Sequence, residues 1–152
     1  MTEYARPTLI VVAGPNGSGK TTVTDQILRH RWIGDCEYVN PDLIAQQRYG
    51  DWNSREAIVQ AANLAQELRE RCLAERRDLA FETVFSADDK VEFIGRAIDA
   101  GYFVRVFFVS TQHPSINAAR ITYRVMAGGH DVSIRKIVDR YYRSVANCTL
   151  VA

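Results

Sequence analysis

Apolar and polar positions along this chain follow two rhythms in turn. Thr8 to Ala13 is an unbroken apolar run rich in β-branched residues, the pattern of a strand buried on both faces. Lys20 to Arg31 instead carries Val23, Ile27 and Leu28 at helical spacing. Glu37 to Asn40 reads as a short strand ended by Pro41, and Tyr49 to Asn53, with Gly50 and Asp51, reads as a loop. Ser54 is the expected N-cap of the longest helix, in which Ala57, Ile58, Ala61, Leu64, Ala65, Leu68 and Cys72 recur on one face. Leu79 to Val84 is the next strand. Ser86, with Asp88 and Asp89 after it, is expected to cap a helix ending near Gly101. Phe103 to Val109 is a second strongly apolar strand. Pro114 opens a helix that should stop at Gly128-Gly129, and a last helix is expected from about Ser133 to Asn147.

Strand and helix patterns alternate with no repeat, low-complexity tract or linker. That order predicts one α/β domain over residues 1–152, a parallel sheet covered by helices on both faces. In such sheets ligands sit beyond the carboxyl ends of the strands, and the motifs below all follow strands. A length of 152 residues, 47% hydrophobic and 24% charged, suits one soluble domain with a real core. Nineteen Lys and Arg against 18 Asp and Glu leave a formal charge of +1, so neither nucleic acid nor a membrane surface is an expected partner. Cys36, Cys72 and Cys148 fit no metal spacing and are odd in number, which predicts free thiols in a reducing compartment. The polar N-terminus is no signal peptide and no apolar run can span a bilayer, so a cytoplasmic location is expected.

Gly14-Pro-Asn-Gly-Ser-Gly-Lys-Thr21 matches G-x-x-x-x-G-K-[ST] in full. Gly14, Gly17 and Gly19 let the backbone turn tightly and aim N–H groups at one point, with Asn16, Ser18 and Thr22 completing the cradle, and the helix beginning near Lys20 adds its positive end. Lys20 should reach the β- and γ-phosphates of ATP, and the Thr21 hydroxyl should bind Mg²⁺. A strand before the motif and a helix after it argue against a chance match and for the P-loop NTPase fold. The motif alone does not separate a kinase from an NTPase, GTPase or motor.

Asp42 lies just past the second strand. A carboxylate there can accept or orient the proton of an acceptor hydroxyl, or it can cap a helix after Pro41. Glu82 sits inside the apolar run Leu79 to Phe85, where a carboxylate needs a partner. It can hold a Mg²⁺-bound water or a substrate hydroxyl, or pair with Arg or Lys at the sheet edge. Thr83 can donate to substrate or serve as an ordinary strand residue. Arg120, Arg124, Arg135, Lys136, Arg140 and Arg143 cluster around Gly128-Gly-His-Asp131. Two helices joined by a Gly-Gly turn can form a lid over ATP, with arginines neutralising charge on the transferred group. The alternative is a solvated basic face. His130 can contact phosphate or serve the turn.

Together, Gly14 to Thr22, Asn40-Pro-Asp42, Phe81-Glu-Thr83, Arg124-Val-Met-Ala-Gly-Gly-His-Asp-Val132 and Arg140-Tyr-Tyr-Arg-Ser144 resemble the zeta-toxin-like P-loop kinases over almost the whole chain. The resemblance implies ATP-dependent phosphorylation of a small-molecule hydroxyl, UDP-N-acetylglucosamine in zeta toxins, and an antitoxin partner that blocks the ATP site. By position, Lys20, Asp42 and Arg124 take its catalytic roles. Asp42, Glu82, Thr83 and Arg120 take substrate contacts, with Arg135 or Arg140 as further lid arginines. Two departures stand out. Ser133 occupies a position where relatives often carry Pro, and Val145 to Ala152 is short of the further strand that relatives add. The sheet is therefore expected to have four strands, or five if this tail contributes one. A C-terminally truncated chain acting as a nucleotide-binding module through a partner protein is the second reading. A simple NTPase coupled to another protein is the third.

Overall fold

The computed structural model describes residues 5–29, 36–126 and 133–151; the side chains of Leu28, Arg124 and Val125 are outside that description. Its strands are β1 (Thr8–Ala13), β2 (Glu37–Val39), β3 (Leu79–Thr83) and β4 (Phe103–Phe108). Its helices are α1 (Lys20–Leu28), α2 (Pro41–Arg48), α3 (Arg55–Glu75), α4 (Asp88–Asp99), α5 (Pro114–Met126) and α6 (Ile134–Val151). The strands pair in the order β2-β3-β1-β4, all parallel, with Val12 opposite Glu82 and Val39 opposite Phe81.

Strand alternation sorts β1 onto two covered faces. Leu9, Val11 and Ala13 join Phe81, Phe85, Phe93 and Ile94 in the main core under α3 and α4. Ile10 and Ala80 form a smaller cluster with Ile27 of α1 and with Tyr38. This double burial is why β1 reads as a continuous apolar run.

Helix ends follow the capping chemistry in part. Ser54 caps α3 as expected, its Oγ accepting from the Ala57 amide at 3.1 Å. Ser86 does not cap α4. Ala87 holds that position without a side-chain bond, and Asp88 and Asp89 in the first turn supply the negative charge the helix dipole favours. The short helix α2 is the helix after Pro41 that the capping alternative for Asp42 called for. Asn40 caps it, its Oδ1 accepting from the Asp42 amide at 2.9 Å, and Pro41 takes the first position, where a missing N–H costs nothing. This overturns the reading of Asp42 as the cap.

The tail is also a correction. Residues from Val145 onward continue α6 to Val151, so the described sheet has four strands and no fifth from the C-terminus. The stripe Ile137, Tyr141, Ser144 and Asn147 is buried at helical spacing, and Val151, one turn further on, packs partly buried against the main core beyond the expected end. Cys36, Cys72 and Cys148 are free thiols as expected. No described helix is long and apolar enough to cross a membrane.

Tyr102 ties the sheet to α3. It is buried, and its hydroxyl donates to the Cys72 carbonyl at 2.8 Å and the Arg77 carbonyl at 3.0 Å. Tyr102→Phe is expected to lower the unfolding free energy by about 1 kcal/mol, because the one hydroxyl proton shared between these two carbonyls is lost while the Cys72 carbonyl keeps its backbone donor from Arg77. The midpoint of urea denaturation checks this, and an unchanged midpoint would contradict it.

Candidate active site

Three strand ends open into one cleft of about 660 Å³. The loop after β1 brings Asn16, Gly17, Lys20 and Thr21. The segment after β2 brings Asn40, Pro41 and Asp42, and the end of β3 brings Glu82, Thr83, Val84 and Ser86. α3, α4 and α6 close it with residues that include Gln66, Arg69, Lys90 and Arg140.

The loop after β1 is shaped by close approach. A Cβ at Gly14 would lie 2.0 Å from the Val109 carbonyl oxygen, and one at Gly17 would lie 2.7 Å from the Asn117 carbonyl oxygen. Both glycines also have positive φ, +155° and +75°, so any side chain would displace the loop. Ser18 is buried beneath the turn, its hydroxyl without a partner among the described residues. The first intrahelical bond after the loop runs from the Val23 amide to the Gly19 carbonyl. The amides of Lys20, Thr21 and Thr22 therefore precede the helical ladder, at the positive end of α1. Lys20 folds back over the loop, its Nζ donating to the Pro15 carbonyl at 3.1 Å.

Two C-terminal helices grip this loop from outside. Asn117 of α5 is fully buried. Its Nδ2 donates to the Asn16 carbonyl at 2.7 Å, and its Oδ1 accepts from the Thr111 hydroxyl. Arg120 donates to the Gly17 carbonyl at 3.1 Å, and Arg140 of α6 donates to the Asn16 Oδ1 at 3.4 Å. Arg120 and Arg140 thus reach the loop backbone and side chain. Arg135 and Lys136 lie exposed, and Arg143 pairs outward with Asp139 at 3.3 Å. Arg124 lies in α5, but its side chain is outside the described residues, as is the whole turn carrying Gly128, Gly129, His130 and Asp131.

Glu82 finds its partner in a neutral side chain. Tyr38 of β2 donates to Glu82 Oε2 at 2.7 Å, and Asn40 Nδ2 donates to the Tyr38 hydroxyl at 3.0 Å. Burial first, and the hydrogen bond to Glu82 second, push the Tyr38 phenol far above its ordinary range, so it stays a donor. Thr21 Oγ1 donates to Glu82 Oε1 at 3.4 Å. The alternative of an Arg or Lys ion pair for Glu82 has no counterpart among the described residues. Asp42, in the first turn of α2, is exposed, and with Asn40 as the cap its carboxylate is not used for capping.

Thr83 serves the backbone as well as the cleft. Its Oγ1 accepts from the Phe85 amide at 3.1 Å, and its carbonyl accepts from the Gly14 amide at 3.2 Å. Phe85 holds φ of 62°, a left-handed conformation that costs a non-glycine residue about 1 kcal/mol or more. Asn147 of α6 fixes it, donating to the Phe85 carbonyl at 2.9 Å.

Asn117, Asn147, Tyr38 and Arg69 were not singled out from the sequence, yet each supports or lines the site. A signal existed for three of them. Asn117 lies on the α5 stripe Pro114, Asn117, Ile121. Arg69 lies on the α3 stripe Ala57, Ala61, Ala65, Arg69, Cys72. Asn147 lies on the α6 stripe. A polar residue at a buried stripe position must have a partner, and here the partners are site backbone or the cleft itself.

Known proteins agree with this architecture. An uncharacterized protein of Haemophilus influenzae is 27% identical over 138 residues, covering 87% of this chain and 91% of that protein. A chain of the Pnkp1/Rnl/Hen1 RNA repair complex superposes with a TM-score of 0.73 at 15% identity, over 97% of this chain and 47% of that one. A chain of the PezAT chromosomal toxin-antitoxin system of Streptococcus pneumoniae gives 0.60 at 22% identity, over 81% of this chain and 55% of that one. The chain therefore spans about half the length of these two solved structures. A family model described as Zeta toxin matches residues 1–149, and with a phosphate loop, a carboxylate after β2 and a carboxylate on β3 meeting in one cleft, this chain belongs to the zeta toxin family.

Proposed function

We propose that this chain, as one P-loop kinase domain over residues 1–152, transfers the γ-phosphoryl group of ATP to a hydroxyl of a small molecule, a nucleotide sugar such as UDP-N-acetylglucosamine. The observation that carries the reading is the opening of the phosphate loop, Asp42 and Glu82 into a single cleft. The loop residues Gly14, Asn16, Gly17, Ser18, Gly19, Lys20, Thr21 and Thr22 cradle the phosphates, and Lys20 leaves the Pro15 carbonyl for the β- and γ-oxygens. The Thr21 hydroxyl and Glu82 carboxylate, 3.4 Å apart, are hard oxygen donors that suit Mg²⁺ alongside phosphate and water oxygens. Bound there, the ion supplies charge neutralisation on the phosphates.

Asp42 accepts the proton of the acceptor hydroxyl as that oxygen attacks the γ-phosphorus. The bond from the γ-phosphorus to the bridging oxygen breaks, and ADP leaves with that electron pair. Glu82 and Thr83 hold acceptor hydroxyls in line. Arg124 meets the charge on the transferring group, with Arg120 and Arg140 supporting the loop from behind. An antitoxin-type protein competing with ATP at the cradle is part of this reading. The second reading, a nucleotide-binding module that works through a partner protein, predicts ATP binding without transfer to any acceptor.

Transfer from labelled ATP with Mg²⁺ to a panel of nucleotide sugars, nucleosides and small antibiotics is the direct test. Asp42→Asn is expected to lower kcat by about 10²-fold or more with ATP affinity unchanged. Retained turnover would remove Asp42 from the base role. Lys20→Ala is expected to weaken ATP binding by about ten-fold or more and to abolish transfer; calorimetric affinity equal to the parent chain would refute the cradle. Asn117→Ala, which alters the cleft only through the backbone of the phosphate loop, is expected to raise the ATP dissociation constant by about ten-fold or more by loosening the loop, with acceptor KM little changed. An acceptor KM that rises instead would show the clamp to serve the other substrate.

A further inference from the structure

Arg69 is a cation that the phosphotransfer chemistry does not use. Only 7% of its surface is exposed, yet it lines the cleft. It stands on the buried stripe of α3 with its guanidinium 5.3 Å from the centre of the Phe81 ring, a contact that meets part of the cost of removing the charge from water. No carboxylate lies within ion-pair distance of it among the described residues. The nearby acids are engaged elsewhere: Glu70 pairs with Arg96 at 2.5 Å, and Asp89 pairs with Lys90. Desolvation draws the Arg69 pKa down, while a guanidinium still holds its charge at neutral pH.

The surroundings suit an anion. Lys90 also lines the cleft and has more donors than its bond to Asp89 uses. Gln66 and Asn63, about one and two turns before Arg69 on α3, add amide donors, and Ser86 adds a hydroxyl. Arg69 and Lys90 against Asp89 leave one positive charge uncompensated, and the buried Arg69 guanidinium is where a bound oxyanion gains most.

We propose that Arg69 and Lys90 form an acceptor subsite for an oxyanion, a phosphate or carboxylate carried by the molecule to be phosphorylated. This deepens the kinase reading and rests on it for the acceptor, while the anion site itself is a property of α3 and α4. Neutral acceptors are disfavoured, because they leave the buried guanidinium without a counter-charge.

The test uses the purified full chain with the phosphate loop filled by a non-hydrolysable ATP analogue and Mg²⁺. Inorganic phosphate and acetate are then titrated calorimetrically in separate experiments. A second saturable site is expected, weakened about ten-fold or more by Arg69→Gln and by Lys90→Gln. Tighter phosphate binding assigns the subsite to a phosphate-bearing acceptor, and tighter acetate binding to a carboxylate. Lys90 is less buried than Arg69, so Lys90→Gln keeps the test valid if Arg69→Gln fails to fold. Repeating the titration on Lys20→Ala without nucleotide separates the two readings. Failure of the analogue to bind the parent chain overturns the kinase, whereas absence of saturable anion binding in both backgrounds overturns the subsite. Binding that neither Arg69→Gln nor Lys90→Gln weakens overturns it equally.

Discussion

The site depends on holding one stretch of backbone still. Amides that must reorient before they meet a phosphate lose the advantage of preorganised dipoles. The loop after β1 is therefore restrained from several directions. Gly14 is pressed against the carbonyl of Val109 at the end of β4 and hydrogen-bonded through its amide to Thr83 at the end of β3. Asn117 and Arg120 take the carbonyls of Asn16 and Gly17, and Arg140 takes the Asn16 side chain. The ties from Asn117 and Arg120 go to carbonyl oxygens, so they hold the loop without consuming its amides.

The same economy of position runs into the rest of the cleft. α6 reaches the loop through Arg140 and the turn after β3 through Asn147, which steadies the left-handed Phe85. One helix thus sets the spacing between the phosphate cradle and the wall that carries Thr83 and Ser86. This explains why a tail that looks expendable is helical and buried along one stripe to Asn147. Glu82 has the neutral Tyr38, rather than a cation, as its donor in the cleft. A neutral donor satisfies lone pairs without cancelling the charge that a metal ion or a hydroxyl proton needs. Arg69 is the opposite case, a buried cation over an aromatic ring at the wall of the cleft.

Much of this was legible beforehand where one chain segment carries the whole signal. The glycine spacing of residues 14–21 determines a phosphate loop, since few other backbones need that pattern. The unbroken apolar run of β1 marks a strand covered on both sides, and Ser54 marks a helix start. Asp42 and Glu82 were visible as acids just after or within strands. Misreadings arose where two local signals compete. Asn40 and Asp42 are both good caps, and only the chain path shows that Asn40 takes the role and leaves Asp42 exposed. At residues 145–151 a β-branched, apolar tail favours a strand locally, but burial of Asn147 and the packing of Val151 against the main core hold it helical.

The sequence by itself determined the fold class, the cradle and the two acids, because each depends on residues close together in the chain. Tertiary structure decided which distant side chains those features rely on. Tyr38 meets Glu82 across 44 residues, Asn117 meets Asn16 across 101, and Arg140 meets Asn16 across 124. Such pairings follow from how parallel strands are ordered and how helices pack over them. No local pattern carries that information beyond the hint of a polar residue on an apolar stripe.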